Sequence, residues 1–249
     1  GSSNLLLGVA FHPTTDELLV VDFGAGNVLR VDPHSGAAGV FAAIPGGGLN
    51  ALSFDSVGNV YVSDSSRGIV WRTGPGGGAA IEWVNDPLLT TGGFPPFGAN
   101  GMGFNGAETA LFVANTGNDQ VIRIPVTAGV PGAPEVFVNS VNGADGLIVD
   151  EQDNLWICAN QADEIVVVDP SGRAIAKLGD FDGVRHGAPT GLLFPASLAR
   201  HGGWIYVTNL ALDLRLFGLP PSIDSQWAAE VTTHTVSRLR ARIPRLEDR

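Results

Sequence analysis

Residues 143–172, GADGLIVDEQDNLWICANQADEIVVVDPSG, decide the fold. An Asp stands at the mouth of a short apolar strand, a tight polar turn follows at Asp150–Asn154, and an alternating strand runs from Leu155 to Ala159. A second turn at Asn160–Glu164 leads into a Val-rich strand that closes on Asp169-Pro170. Asp, Asn and Gly clustered between short β-branched runs make antiparallel hairpins, because these residues accept the backbone geometry and local hydrogen bonds of tight turns. No part of the stretch has helical periodicity.

The unit recurs. Gly8 opens GVAFHPTTDELLVVDFGAGNVLRVDP, Ala51 opens ALSFDSVGNVYVSDSSRGIVWRTG, Gly101 opens GMGFNGAETALFVANTGNDQVIRIPV, and Ala196 opens ASLARHGGWIYVTNLALDLRL. A spacing of about 43 to 50 residues is that of propeller blades of four strands each. Five blades are recognisable, over about residues 5–44, 49–84, 98–138, 143–180 and 194–243, and the chain reads as one all-β propeller domain across 1–249. The last blade shows only three clear strands, its third delayed to 235–243. Gly/Pro-rich connectors separate the blades, and the longest, around Pro95-Pro96 and His186, are expected to cover one mouth of the central channel.

Bulk properties narrow the partners. A net charge of −11 repels phosphate, which argues against nucleic acid or an anionic membrane surface. No apolar stretch approaches the roughly 18 residues of a membrane-spanning helix. The single Cys158, on an alternating strand, excludes a disulfide framework and reads as a buried structural thiol. Arg238, Arg240 and Arg242 alternate into one exposed stripe, followed by Arg245 and Arg249. With Met102 the only methionine, the chain is expected to be a processed, tag-cleaved or truncated product, and Gly1-Ser2 an expression scar; compartment, cytoplasmic or exported, stays open.

Stacking the blades gives two columns. Asp22, Asp64, Asn115, Asn160 and Asn209 end each second strand, where a short acceptor side chain serves the following turn. Leu7, Asn50, Asn100, Asp145 and Pro195 start each innermost strand, and here the residue type varies. Innermost strands line the channel, so Asn50, Asn100 and Asp145 should converge near one mouth. One carboxylate and two amides offer oxygen donors suited to a hard cation such as Ca²⁺, which takes about six to eight oxygens. The same residues also suit a wet channel in which they serve only backbone groups.

The segments ANGMGFNGAETALFVANTGNDQVIRI and ADGLIVDEQDNLWICANQADEIVVVDP resemble the senescence marker protein, gluconolactonase and luciferin-regenerating enzyme family. The likeness runs from about Leu6 to Ile243 and is strongest at Asn100-Gly101 and Asp145-Gly146; the strand pattern alone is shared with NHL-repeat propellers. The resemblance implies a six-bladed propeller and metal-dependent hydrolysis of a lactone or small ester, with Ca²⁺ foremost and Mg²⁺, Mn²⁺ or Zn²⁺ as alternatives. It makes Asn100 a metal ligand, Asp145 a metal ligand and general base, and Asn50 a substrate or metal-water contact. It also implies a first blade bearing a ligand Glu, which this chain lacks: either the chain is truncated or the ring is five-bladed. The family's sugar-contacting Arg is Gly48 here, and its following Glu has no counterpart near Arg67, so a small neutral or hydrophobic substrate fits Phe94, Phe97 and Met102 better than a sugar lactone.

Other chemistries lack their residues. His12, His34, His186, His201 and His234 are scattered without zinc spacing and read as surface or turn residues. A serine nucleophile elbow needs a strand-to-helix turn. The glycine runs at Gly46–Gly48 and Gly76–Gly78 do not open helices. The paired histidines of the similar streptogramin lyases are not visible. His186, in a loop by a channel mouth, is retained as an acid or substrate contact. The alternative to a hydrolase is a non-catalytic propeller acting as a ligand- or protein-binding scaffold.

Overall fold

The computed structural model describes residues 5–243. The first blade is β1 (Leu6–Phe11), β2 (Leu18–Asp22), β3 (Asn27–Val31) and β4 (Ala38–Ala43); the second is β5 (Leu49–Phe54), β6 (Val60–Asp64), β7 (Ile69–Gly74) and β8 (Gly77–Asn85). The third contains β9 (Ala99–Phe104), β10 (Ala110–Asn115), β11 (Gln120–Thr127), the short β12 (Val130–Pro131) and β13 (Glu135–Asn139). The fourth is β14 (Ala144–Val149), β15 (Leu155–Ala159), β16 (Glu164–Val168) and β17 (Ala174–Leu178). A hairpin, β18 (Phe181–Arg185) and β19 (Ala188–Gly191), precedes the last sheet, β20 (Pro195–His201), β21 (Trp204–Asn209) and β22 (Thr235–Arg240). Each blade is an antiparallel meander, and the first two join because β4 pairs in parallel with β8. The chain is a β-propeller, as the repeat implied. β22 stops at Arg240, so Arg242 lies beyond the strand, while Arg245 and Arg249 lie outside the described residues.

The inner strands β1, β5, β9, β14 and β20 pack on one another in sequence. Between each pair of successive blades lies an apolar layer. Leu19, Val21 and Phe41 meet Leu49, Val60 and Val62; Ala110, Phe112 and Val121 meet Leu147, Leu155 and Ile157. Because both faces of the middle strands are covered, β6, β10 and β15 are buried throughout, which is why their sequences are almost continuously apolar. Cys158 is buried in β15, as its place on that strand implied.

The two end blades differ. The outer face of β1 leaves Val9 63% and Phe11 57% exposed, with Val40 of the same blade at 59%. The last sheet instead presents Arg238 and Arg240 stacked on Trp204, with guanidinium carbons 4.1 and 3.8 Å from the ring centre.

Turn carboxylates lock the hairpins. Asp150 accepts from the backbone of Gln152 and Asn154, each at 2.9 Å, from the Asn154 amide, and from Trp156 Nε1 at 2.9 Å. Burial alone would raise its pKa, but these hydrogen bonds outweigh it and hold the carboxyl below its ordinary value. In the first blade the corresponding turn uses His12, buried, whose Nε2 is 2.9 Å from the Gly58 carbonyl. Asp150→Ala is expected to cost roughly 2–3 kcal/mol at pH 7, since several buried donors lose their acceptor. A depressed native pKa gives stability present above the unfolded value and lost as pH falls through the folded one. Urea unfolding of both proteins at pH 7 and pH 3 checks this, the gap narrowing in acid.

Candidate functional site

All five inner strands carry the same irregularity near their start. Leu6 pairs with Asp22 but Val9 with Val20; Leu49 with Asp64 but Leu52 with Val62; Ala99 with Asn115 but Met102 with Val113. Ala144 pairs with Ala159 but Leu147 with Ile157, and Pro195 with Asn209 but Ser197 with Thr208. In every blade the inner strand holds one residue more than its neighbour. This is a β-bulge, which breaks the alternation of side chains and re-aims one of them. Asn50, Asn100 and Asp145 occupy the bulge in three successive blades.

The register corrects both columns read from sequence. In the last blade the bulge falls on Ala196, so Ala196, not Pro195, stands where Asp145 does. In the fourth blade Ala159 holds the place of Asp22, Asp64, Asn115 and Asn209, and Asn160 takes the place of Ser65 and Thr116. The likeness of Ala114-Asn115 to Ala159-Asn160 hid the shift.

The corrected positions form equivalent pairs. Asn50 Nδ2 donates to Ser65 Oγ at 3.0 Å, and Ser65 Oγ to the Ala99 carbonyl at 2.7 Å. Asn100 Nδ2 donates to Thr116 Oγ1 at 2.9 Å, and Thr116 Oγ1 to the Ala144 carbonyl at 2.7 Å. Each hydroxyl therefore stitches its blade to the next inner strand. In the fourth blade the partner is an amide: Asn160 Nδ2 donates to Asp145 Oδ2 at 2.8 Å, and Asn160 Oδ1 accepts from Gln161 Nε2 at 3.0 Å. Asn160, read as a turn residue, is thus a holder of the candidate carboxylate.

Glycine brings the pieces together. A Cβ on Gly101 would stand 2.5 Å from the Asp145 carbonyl oxygen and 2.5 Å from Leu147 N. One on Gly146 would stand 2.6 Å from the Ala196 carbonyl oxygen. Both lie below any ordinary contact, so β9, β14 and β20 approach this closely only without side chains there. Asn-Gly and Asp-Gly are the chemical group and the space that admits it.

Asp145 is partly buried at the channel and surrounded by protein. Desolvation pushes its pKa up to about 7, against the opposing hydrogen bonds of Asn160 and Asn100. Burial, and then the charge of Asp145, push the thiol of Cys158 well up, which keeps it from the reactive thiolate form. No protein donor among the described residues engages the amide oxygens of Asn50 or Asn100. A carboxylate with no cationic partner among the described residues, beside an Asn100 amide that can turn its oxygen toward the same point, fits a hard cation, with water completing its shell. Among the described residues no group of three or more His, Cys, Asp or Glu side chains could hold a metal.

The structure brings Asn100 and Asp145 together and places Asn50 one strand away. His186 stands at the exposed tip of the β18–β19 hairpin. His186 and Gly187 both have positive φ, at 51° and 78°, the geometry of a two-residue hairpin turn. Arg67 is committed to Asp64, with Nε 2.7 Å from Oδ2. Beside Gly48, Phe23 meets Phe97 edge-on at 6.3 Å. A cleft of about 460 Å³ lies at the far ends of the inner strands, lined by Phe104, Val149, Glu151 and Arg200.

A propeller whose bulges present Asn, Asn and Asp from successive blades defines the class. Residues 13–179 match the family model described as SMP-30/gluconolactonase/LRE-like region, and the chain belongs to that family. Among solved structures, a putative gluconolactonase aligns with a TM-score of 0.63 at 18% identity, over 81% of this chain and 70% of its own. A gluconolactonase from Xanthomonas campestris aligns with a TM-score of 0.57 at 14% identity, over 84% of each chain. Virginiamycin B lyase from Staphylococcus aureus gives 0.59 at 13% identity, over 81% of this chain and 62% of the lyase. At these identities the likeness establishes the fold alone. No curated protein matches the sequence.

Proposed function

We propose that the chain is a gluconolactonase-like hydrolase of a lactone or small ester, working with a divalent cation, Ca²⁺ foremost, held by Asn100 and Asp145. The observation that carries the reading is Asp145, a carboxyl with no cationic partner among the described residues, aimed by a bulge and braced by Asn160. A bound cation would supply polarisation of the substrate carbonyl oxygen. Asp145 accepts a proton as water attacks the carbonyl carbon, and returns it to the alkoxide when the ring C–O bond breaks, leaving a hydroxy acid. To ligate, Asn100 turns its amide so that the oxygen rather than Nδ2 faces Asp145. Asn50 contacts substrate or water from the next strand. Phe23 and Phe97 on the rim, with Gly48, suit a small neutral or hydrophobic molecule. Belonging to the family and likeness in fold to two gluconolactonases support this reading.

The test is a panel of aliphatic and aromatic lactones and esters, assayed on protein treated with EDTA and after return of Ca²⁺, Mg²⁺, Mn²⁺ or Zn²⁺. Hydrolysis that disappears with chelation and returns with one cation is expected. Saturable Ca²⁺ binding without turnover of any substrate would leave a metal-binding propeller without catalysis.

A further inference from the structure

The turn between the second and third strands of each middle blade ends in a residue with positive φ. In the third and fourth blades that residue is an acid, Asp119 at 57° and Asp163 at 53°. Each has the same task. Asp119 Oδ1 accepts from Gly143 N at 2.7 Å and Asp163 Oδ1 from Phe194 N at 2.7 Å, fastening the backbone that leads into the next inner strand. One oxygen suffices for that task. Asp163 has a neighbour that Asp119 lacks: Asp224, buried, at the head of a short helical turn (Ser225–Ala228) and within hydrogen-bonding reach of the Asp163 carboxyl.

Asp224 belongs to a strap of residues 210–234 that joins β21 to β22 on the same end of the ring as Asp145. The strap is tied to the β18–β19 hairpin by Thr232 N and Thr233 N, which donate to the Gly187 carbonyl, and by Trp227 edge-on to Phe181 at 5.7 Å. On the other side it meets the fourth blade through Asp224. Asp224 is 6% exposed, its Oδ2 has no hydrogen-bond partner, and its side chain does not cap the turn it heads. A second carboxylate facing such an oxygen would repel it, whereas a carboxylic acid would satisfy it.

We propose that Asp163 carries a proton which it donates to Asp224, and that this acid–carboxylate pair clasps the strap to the fourth blade until alkali removes the proton. Burial, then the charge of Asp224, pushes the Asp163 carboxyl up to about 7, and burial raises Asp224 as well. Of the other charges on these elements, Arg215 pairs with Asp213, Glu164 with Lys177 and Arg185 with Asp182, while Glu230 and His234 on the strap and Asp180 and His186 at the hairpin form no ion pair among the described residues. Asp119, with the same backbone task and no acid beside it, is the comparison built into the chain. With folded pKa values raised, the clasp is complete below the ordinary carboxylate range. It weakens as pH rises through about 7, where the proton is lost.

Hydrogen exchange at the amides of Ala228–Val231, corrected for intrinsic rates, measures strap opening between pH 5 and pH 8. In the native protein protection is expected to fall at least tenfold across this range. Asp163→Asn keeps the acceptor for Phe194 N, tolerates the positive φ, and offers Asp224 an N–H at every pH, so its protection is expected to be flat. Asp224→Asn, read the same way, serves if that variant fails to fold. Protection that does not change with pH in the native protein, or changes equally in a folded Asn variant, overturns the proposal. So does restoration of protection at pH 8 by Ca²⁺, which would make the pair a cation site.

Discussion

Asp145→Asn is expected to lower lactone hydrolysis by roughly 100- to 10,000-fold, the range of a lost general base, while the protein folds as well as before. The amide still accepts the hydrogen bond from Asn160 and fills the same volume, but it cannot take a proton from water. Stability should move the other way. The carboxylate is desolvated with no cation beside it, so its folded pKa is raised. A raised carboxyl costs the native state progressively as pH climbs from the ordinary carboxylate range to about 7. In chelator, Asp145→Asn should therefore be as stable as the native protein near pH 4 and more stable at pH 8, by chemical denaturation. Lower activity with equal or higher stability marks a residue kept for chemistry. Full activity in the variant would remove Asp145 from the reaction, and a collapsed fold would make it a structural residue.

The propeller was legible because blade repeats announce themselves through turn chemistry. Asp150–Asn154 and Asn160–Glu164 lie between apolar runs whose burial on both faces follows from packing between neighbouring blades. The candidate site was read from residue type changing where the strand pattern did not, which singled out Asn50, Asn100 and Asp145. The bulge was not legible. A one-residue excess leaves no mark in hydrophobic alternation except the small residue after it, Gly101 or Gly146, and those glycines read equally as turn residues. Hence Asn160 was placed by its likeness to Asn115, when only the pairing of Ala144 with Ala159 shows that it stands where Thr116 does. That His186 sits at a two-residue turn was equally hidden, since the β18–β19 strands are too short and mixed in polarity to announce a hairpin. The acid pair at Asp163 and Asp224 joins residues 61 positions apart in the chain (224 − 163 = 61), through an irregular strap with no periodicity to read.

Gly101→Ala and Gly146→Ala are expected to destabilise the fold by about 1–3 kcal/mol each, at the upper end for Gly101, whose Cβ would meet backbone on three sides of Asp145-Gly146-Leu147. Backbone cannot rotate aside as a side chain does, so β9 and β14 must separate. For a chain of this size that corresponds to a fall in Tm of roughly 3–10 °C, read by calorimetry. The second blade holds the control, since it carries Ala51 at the position of Gly101; Ala51→Gly should change stability by less than about 1 kcal/mol. Separation of β9 from β14 also moves Asn100 away from Asp145 without altering either side chain. Gly101→Ala should therefore weaken Ca²⁺ binding by roughly tenfold or more at temperatures where the variant is still fully folded, whereas Gly146→Ala, whose contact is with β20, should affect binding less. Equal losses of binding in both variants would show that general loosening, not the spacing of β9 and β14, sets the site. An unchanged Tm in Gly101→Ala would mean that the inner strands are not held at the distance the bulges require.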